Sequence, residues 1–264
     1  RPIWRRCWPH CVGTGTVMDL PDREQWLTPE WHPHPRVQAL VTNRRGQFSP
    51  PPWHGFNLGS NCGDDPERVA RARAHVHRQI GTGKPPHWLT QIHGVRVVRF
   101  GDADRRADGV WTSYSREPCV VLTADCLPVL MARQDGSAVA AVHAGWRGLL
   151  DGILEQGVAQ LSPQAEPLSV WLGPAICQRC YQVGDEVRAA FLGHDPAAAT
   201  QFLDDGPGHW RMDLFGLARQ RLQAAGIADI QGGNLCTHCL ADDYYSYRRD
   251  GETGRFATLI WLKD

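Results

Sequence analysis

Three short apolar runs in this chain end on side chains that can ligate a metal or act as a nucleophile. Ala140-Ala141-Val142-His143 reads as a buried strand that finishes on an imidazole, and Ala144-Gly145-Trp146-Arg147-Gly148 follows at once. Pro118-Cys119-Val120-Val121-Leu122-Thr123-Ala124 is apolar and β-branched and stops on Asp125-Cys126 before Leu127-Pro128 restarts the chain. Leu89-Thr90-Gln91-Ile92-His93-Gly94 is the third. A core strand gains nothing by closing on His or Cys, so such endings point to a site built at one edge of a sheet. The plain alternative, a hydrogen-bonded core histidine followed by an ordinary turn, suits one ending better than three.

His93, Cys126 and His143 make a sensible three-ligand set for zinc, with a fourth position left for water or substrate. Imidazole suits copper as well, so the ligands alone do not choose the metal. An open zinc site lowers the pKa of bound water to about 7, which is a hydrolytic or deaminating tool. The same residues also fit a Cys–His pair in which His93 or His143 deprotonates Cys126, and the sequence leaves both readings open. Cys126 and His143 reach the same end of a sheet if their strands pair in parallel. Asp125, beside Cys126, is placed either to act as general acid or base or to hold a ligand imidazole. Gly145-Trp146-Arg147-Gly148 lies where a helix should begin, and free N–H groups beside a guanidinium favour phosphate or carboxylate; the alternative is that Arg147 pairs with a structural carboxylate. Arg248 and Arg249, after Tyr244-Tyr245-Ser246-Tyr247, offer a second anion contact. Asn57 completes the candidate substrate- and phosphate-binding set with Arg147 and Arg248.

The elements that must position these groups alternate too irregularly for a pure βαβ array, so the expected class is α+β in one domain. Residues 1–30 carry Trp, Pro, Arg and Cys without periodicity, and little order is expected before Trp31; a translation start placed too far upstream of Met18 would give such a prefix. Residues 31–264 form the expected globular domain. A first strand is expected over 36–42, then a Gly/Pro/Ser-rich loop over 43–61. A helix should follow Asp65-Pro66-Glu67, with Asp65 as cap and Val69, Val76 and Ile80 on one face. Strands are expected at 95–100, 109–112, 118–124, 128–132, 137–143, 169–172 and 229–231. Helices are expected at 146–161, 183–192 and 213–225, with Gly226 as the last one's stop. Residues 244–262 read as two strands around Asp250-Gly251.

Composition narrows the function classes. Lys plus Arg and Asp plus Glu are equal at 28 each, so no net field favours nucleic acid or an anionic membrane. No apolar run approaches the length of a membrane span, and the Arg- and Trp-rich start lacks the apolar centre of a secretory signal; a cytoplasmic protein is expected. Nine cysteines, an odd count at ordinary density, argue for free thiols or metal ligands rather than a disulfide framework. Cys177-Gln178-Arg179-Cys180 and Cys236-Thr237-His238-Cys239 together resemble a four-cysteine zinc site. Their two pairs lie further apart than in knuckles and ribbons, so they are read here as unpaired or buried cysteines.

Gln91-Ile92-His93-Gly94, Thr123-Ala124-Asp125-Cys126-Leu127-Pro128-Val129, Ala141-Val142-His143-Ala144-Gly145-Trp146-Arg147-Gly148, Trp171-Leu172-Gly173-Pro174 and Ser246-Tyr247-Arg248-Arg249-Asp250-Gly251 occur in that order. Together they resemble the bacterial laccase-domain, or multicopper polyphenol oxidase-like, family. The resemblance implies a single four-layer α/β/β/α domain with mixed sheets and a zinc on His93, Cys126 and His143. It implies phosphorolysis of adenosine, inosine, guanosine and methylthioadenosine to base and ribose 1-phosphate, with adenosine deamination beside it. Related members are described as peptidoglycan editing factors that remove a wrong amino acid from nucleotide-linked muramate. A metal- or nucleotide-binding protein without turnover is the reading from another class. Cys180, Cys239 and Asn43-Arg44-Arg45 depart from the family's usual pattern, and none of them touches the three metal positions. Multicopper oxidation itself needs many more histidines than this constellation offers.

Overall fold

The computed structural model describes residues 20–264. In chain order the elements are β1 (Val37–Val41), α1 (Pro66–Ile80), β2 (Val97–Arg99), β3 (Gly109–Thr112), β4 (Cys119–Thr123), β5 (Leu127–Arg133), β6 (Val139–Ala144), α2 (Trp146–Asp151), α3 (Ile153–Leu161) and β7 (Leu168–Leu172). They continue with β8 (Gln182–Gly184), α4 (Asp185–His194), β9 (Phe202–Asp204), β10 (His209–Met212), α5 (Leu214–Ala224), β11 (Asp229–Gly232), α6 (Tyr247–Asp250) and β12 (Phe256–Leu262). A three-stranded sheet, β1-β12-β4, lies against a six-stranded one, β11-β7-β5-β6-β3-β2, and a small third sheet runs β8-β10-β9.

Side-chain alternation assigns the layers. In β12, Phe256, Ile260 and Leu262 face the seam between the two larger sheets, while Ala257, Leu259 and Trp261 pack toward α1. In β5, Leu130 and Ala132 face the seam, and Leu127, Val129 and Met131 face α3 and α5 on the far side. The order is therefore α1, three-stranded sheet, six-stranded sheet, helices: four layers, mixed α and β. Each fully buried Leu or Met of β5 contributes about 1.5–3 kcal/mol relative to exposure, so β5 is anchored on both faces. Helix α1 forms as its sequence dictates, with the Asp65 side chain accepting from the Arg68 N–H, Pro66 in the first turn and a left-handed Gly81 at the end.

Four local expectations give way to tertiary packing. Order begins before Trp31: Trp26 is buried, stacks on Phe56 with centroids 5.8 Å apart, and the next residue, Leu27, pairs with Val41 through two backbone bonds of 3.0 and 2.8 Å. The rest of the prefix, residues 1–19, lies outside the described residues. The helix expected over 146–161 breaks at Gly152, whose φ of 102° ends α2 and starts α3. Residues 244–262 are not a hairpin, because Ser246 caps the short helix α6 by accepting from the Arg249 N–H, leaving β12 alone. The helix expected from 183 begins at Asp185, since 182–184 are taken up by β8, which pairs with β10. Among the described residues no helix is long and apolar enough to cross a membrane.

Candidate functional site

Cys126 lies on the short crossing between β4, in the three-stranded sheet, and β5, in the six-stranded one. The strand expected to deliver Cys126, β4, does not pair in parallel with β6 but lies in the other sheet. Cys126 reaches His143 because β5, which starts just after it, pairs antiparallel with β6, with Pro128 opposite His143 and Leu127 opposite Ala144. The start of β5 and the end of β6 are thus at one edge of the sheet. His143 shares the parity of Val139 and Ala141, so its ring enters the seam, where it is buried.

His93 is held from both sides. The Gln91 side chain mimics a strand, accepting from the Leu122 N–H at 2.7 Å and donating to the Leu122 carbonyl at 2.8 Å. Beyond it, the fully buried carboxylate of Asp108 accepts from the N–H groups of Ile92, His93 and Gly94 at 3.2, 2.9 and 2.7 Å. These bonds hold His93 at φ 60°, a left-handed conformation unusual for a residue with a side chain. Asp108 also bonds the ring Nδ1 of His143 at 2.9 Å, which leaves Nε2 free to face Cys126. The carboxylate that orients an imidazole is therefore Asp108, not Asp125. The sequence reading missed it because Asp108 opens β3, far from any of the apolar endings; its one signal was an acid directly before a buried Gly-Val run.

The three candidate ligand atoms, from His93, Cys126 and His143, lie within 4.8 Å of one another. Cys126 Sγ is 4.0 Å from His93 Nε2, and the two imidazoles meet edge to face. Burial pushes the Cys126 thiol up, but the His143 charge and hydrogen bonds from both histidines bring it down to about 6. Burial would lower His143, yet the Cys126 thiolate and Asp108 raise it to about 9. A thiolate beside two imidazoles, one oriented by a buried carboxylate, fits a thiophilic divalent metal in an open three-ligand site.

The cluster opens on a cavity of about 460 Å³. Its wall includes Arg248, Arg255 and the rings of Trp146, Tyr181 and Tyr247. Arg248 lies over Tyr181 with its guanidinium carbon 5.2 Å from the ring centroid. Asp125 is on the wall too, at φ 95°, but both its oxygens are engaged: Oδ1 accepts from Thr237 Oγ1 at 2.6 Å and Oδ2 from the Arg248 N–H at 2.7 Å. Those bonds make Asp125 a brace for the α6 loop rather than a free proton carrier. Asn57 is not on the wall; buried, it accepts from Gly59 and Arg255 N–H at 2.8 Å each and donates to Asp64 at 2.9 Å, so it supports the wall from behind. Arg147 stands outside the lining, stacked 4.3 Å over Trp146.

The glycines around Arg147 also serve packing more than anion binding. A Cβ on Gly145 would stand 3.0 Å from His93 Cδ2 and 3.2 Å from Cys126 Sγ, and one on Gly148 would stand 2.8 Å from the Gly94 carbonyl oxygen. Their absence lets the first turn of α2 press against the His93 loop.

The family profile described as multi-copper polyphenol oxidoreductase laccase matches residues 38–263. The chain belongs to this laccase-like family. Among the relatives of this laccase-like chain is a protein named purine nucleoside phosphorylase from Pseudomonas aeruginosa, 44% identical over 242 residues, covering 90% of this chain and 99% of the relative. Another is Escherichia coli YfiH, also named purine nucleoside phosphorylase, 42% identical over 240 residues with 89% and 98% covered. A crystal structure of a Neisseria meningitidis protein superposes with a TM-score of 0.85 at 42% identity, covering 90% of this chain and 99% of that one. YlmD of Geobacillus stearothermophilus superposes at 0.84 with 27% identity, covering 93% and 100%.

The laccase-like fold brings a further group together. Cys177, Cys180, Cys236 and Cys239, read from the sequence as too far apart for one site, have all four sulfurs within 4.8 Å of one another.

Proposed function

We propose that this laccase-like chain is a metal-assisted purine nucleoside phosphorylase, acting on adenosine, inosine, guanosine and methylthioadenosine and also deaminating adenosine. The observation that carries this reading is the opening of the His93–Cys126–His143 cluster onto a cavity with two arginines and three aromatic rings. The volume, about 460 Å³, is in the range of small-ligand sites and suits a nucleoside with phosphate. The names of the relatives in Pseudomonas aeruginosa and Escherichia coli support the same chemistry.

In this reading His93, Cys126 and His143 hold a zinc ion. When bound, zinc supplies Lewis acidity at the reacting end of the cavity. Zinc suits the donor set better than a multicopper centre, because the two candidate clusters among the described residues contain only two histidines. Trp146, Tyr181 and Tyr247 offer ring faces for the purine. Arg248 and Arg255 hold phosphate, replacing the anion contact the sequence placed on Arg147. An oxygen of hydrogen phosphate attacks C1′ as the C1′–N9 bond breaks, and the purine leaves with the bonding pair and takes up the proton that the phosphate gives up on becoming the ester. Asp108 keeps the His143 ring in place throughout.

The test is product analysis by mass spectrometry after incubating adenosine with the purified protein, with and without phosphate, beside Cys126→Ala. Adenine and ribose 1-phosphate that require phosphate and vanish in the variant are expected. Release of adenine that does not need phosphate, inosine as the only product with or without phosphate, or intact adenosine throughout would overturn the phosphorylase reading, and intact adenosine would favour the muramate-editing alternative.

A further inference from the structure

The loops that follow β7 and β11 leave the sheet side by side, because those strands pair in parallel with Gly232 opposite Leu172. Backbone bonds continue the pairing past the strand ends: the Ala175 N–H donates to Leu235 O at 3.1 Å, and the Thr237 N–H to Ala175 O at 3.0 Å. One loop then carries Cys177 and Cys180, and the other Cys236 and Cys239. The long separation of the two pairs in sequence is the length of the crossover from β7 to its neighbour β11, and says nothing about their distance in space.

Cys180 and Cys239 sulfurs are 3.5 Å apart, and no two of the four exceed 4.8 Å. Tetrahedral zinc with bonds of about 2.3 Å places its sulfurs about 3.8 Å apart, within that spread. The Cys177 N–H donates to Cys236 Sγ at 3.3 Å, and the Arg179 guanidinium approaches Cys239 Sγ at 3.8 Å, so donors that offset thiolate charge are in place. Four sulfurs mutually close are arranged around one centre rather than as two separate pairs.

We propose that Cys177, Cys180, Cys236 and Cys239 form a second metal site, a closed zinc tetrathiolate, in which each thiol gives up its proton on binding. The site is structural and stands apart from the His93–Cys126–His143 cluster. Its effect reaches Asp125 through the adjacent residues: Ile176, next to Cys177, donates its N–H to the Asp125 carbonyl at 3.0 Å, and Thr237, next to Cys236, holds Asp125 Oδ1. The zinc thus fixes the two loops that brace the residue beside Cys126.

The experiment is metal analysis of protein prepared with zinc under reducing conditions. Two zinc ions per chain are expected in the wild type, one in Cys126→Ala and one in Cys180→Ser/Cys239→Ser. Cobalt(II) in place of zinc in Cys126→Ala should give the intense charge-transfer and ligand-field bands of a tetrahedral four-thiolate site, and a chelator should lower that variant's melting temperature. A folded Cys126→Ala protein that binds no zinc or cobalt would overturn the proposal. So would two disulfides among these cysteines under reducing conditions, read as an intact mass lower by four hydrogens. If Cys126→Ala does not fold, the cobalt spectrum of the wild type decides, since only the second site supplies four sulfurs.

Discussion

Asp108→Asn separates the structural account from the sequence-based one. Asn keeps the shape of Asp108 but has only one acceptor oxygen. If that oxygen stays on His143 Nδ1 and the His93 N–H, the new amide group faces the Gly94 N–H, which now donates to the second carboxylate oxygen at 2.7 Å. Two donors then oppose each other in a fully buried place, at a cost of about 1–3 kcal/mol. The charge that fixes the His143 tautomer and raises its basicity is lost as well. Changes to such partners of a metal-bound histidine weaken binding about 10–100-fold, which corresponds to about 1.4–2.7 kcal/mol. The assay is competition for zinc against a chromophoric chelator in a Cys180→Ser/Cys239→Ser background, where only the His93–Cys126–His143 site titrates. Asp125→Asn in the same background should lose clearly less affinity, because Asp125 faces Thr237 and Arg248 rather than an imidazole. Unchanged zinc affinity in a folded Asp108→Asn protein, or an equal loss in Asp125→Asn, would refute the reasoning.

Gly148→Ala should destabilise the protein by about 1–3 kcal/mol through its clash with the Gly94 carbonyl and lower zinc affinity by displacing His93; a gain of stability, the usual result of Gly→Ala inside a helix, would show that the close approach is not needed. Arg248→Ala should raise KM for phosphate far more than KM for the nucleoside, and more than Arg147→Ala does, because Arg248 is on the cavity wall and Arg147 is outside it; steady-state kinetics in both substrates would check the ranking. His87 is held down to about 4, first by burial and then by the Arg105 charge. Protonation therefore favours the unfolded chain, and the stability this neutral histidine contributes is present in full above about pH 6.5 and is lost as pH falls toward 4, by up to roughly 3 kcal/mol. Chemical denaturation across that range should show a flatter acid limb in His87→Asn, which keeps an acceptor for the Gly101 N–H but does not titrate.

Much of the fold was legible because local signals and packing agree there. The Asp65-Pro66 start of α1, its Val69–Val76–Ile80 face and the apolar runs of β4, β5 and β6 all appear where the pattern places them. The three candidate ligands were legible as polar endings on apolar runs, although the run before His93 is a loop rather than a strand. What escaped depends on contacts remote in sequence. Cys126 and His143 meet through antiparallel pairing across the β5–β6 hairpin, which periodicity does not distinguish from parallel. The small β8-β10-β9 sheet has strands of three or four residues, too short to show a period. Asp108 reaches the site because β3 pairs with β6, with Gly109 opposite Val142.

The strained residues show how these parts depend on one another. Among the described residues other than glycine, four have positive φ, and two of them, His93 and Asp125, border the candidate metal cluster. Each such conformation costs of order 1–3 kcal/mol and persists only where the surroundings over-determine it. For His93 the surroundings are the Gln91 clamp on β4 and the Asp108 carboxylate below β6, one from each of the two facing sheets. For Asp125 they are Ile176 and Thr237, on the loops after β7 and β11, and Arg248 in α6. A ligand set strung across the seam between two sheets keeps its geometry only while both sheets stay in register, so a substitution that loosens the seam, however far from the cavity, should lower metal affinity and thermal stability together.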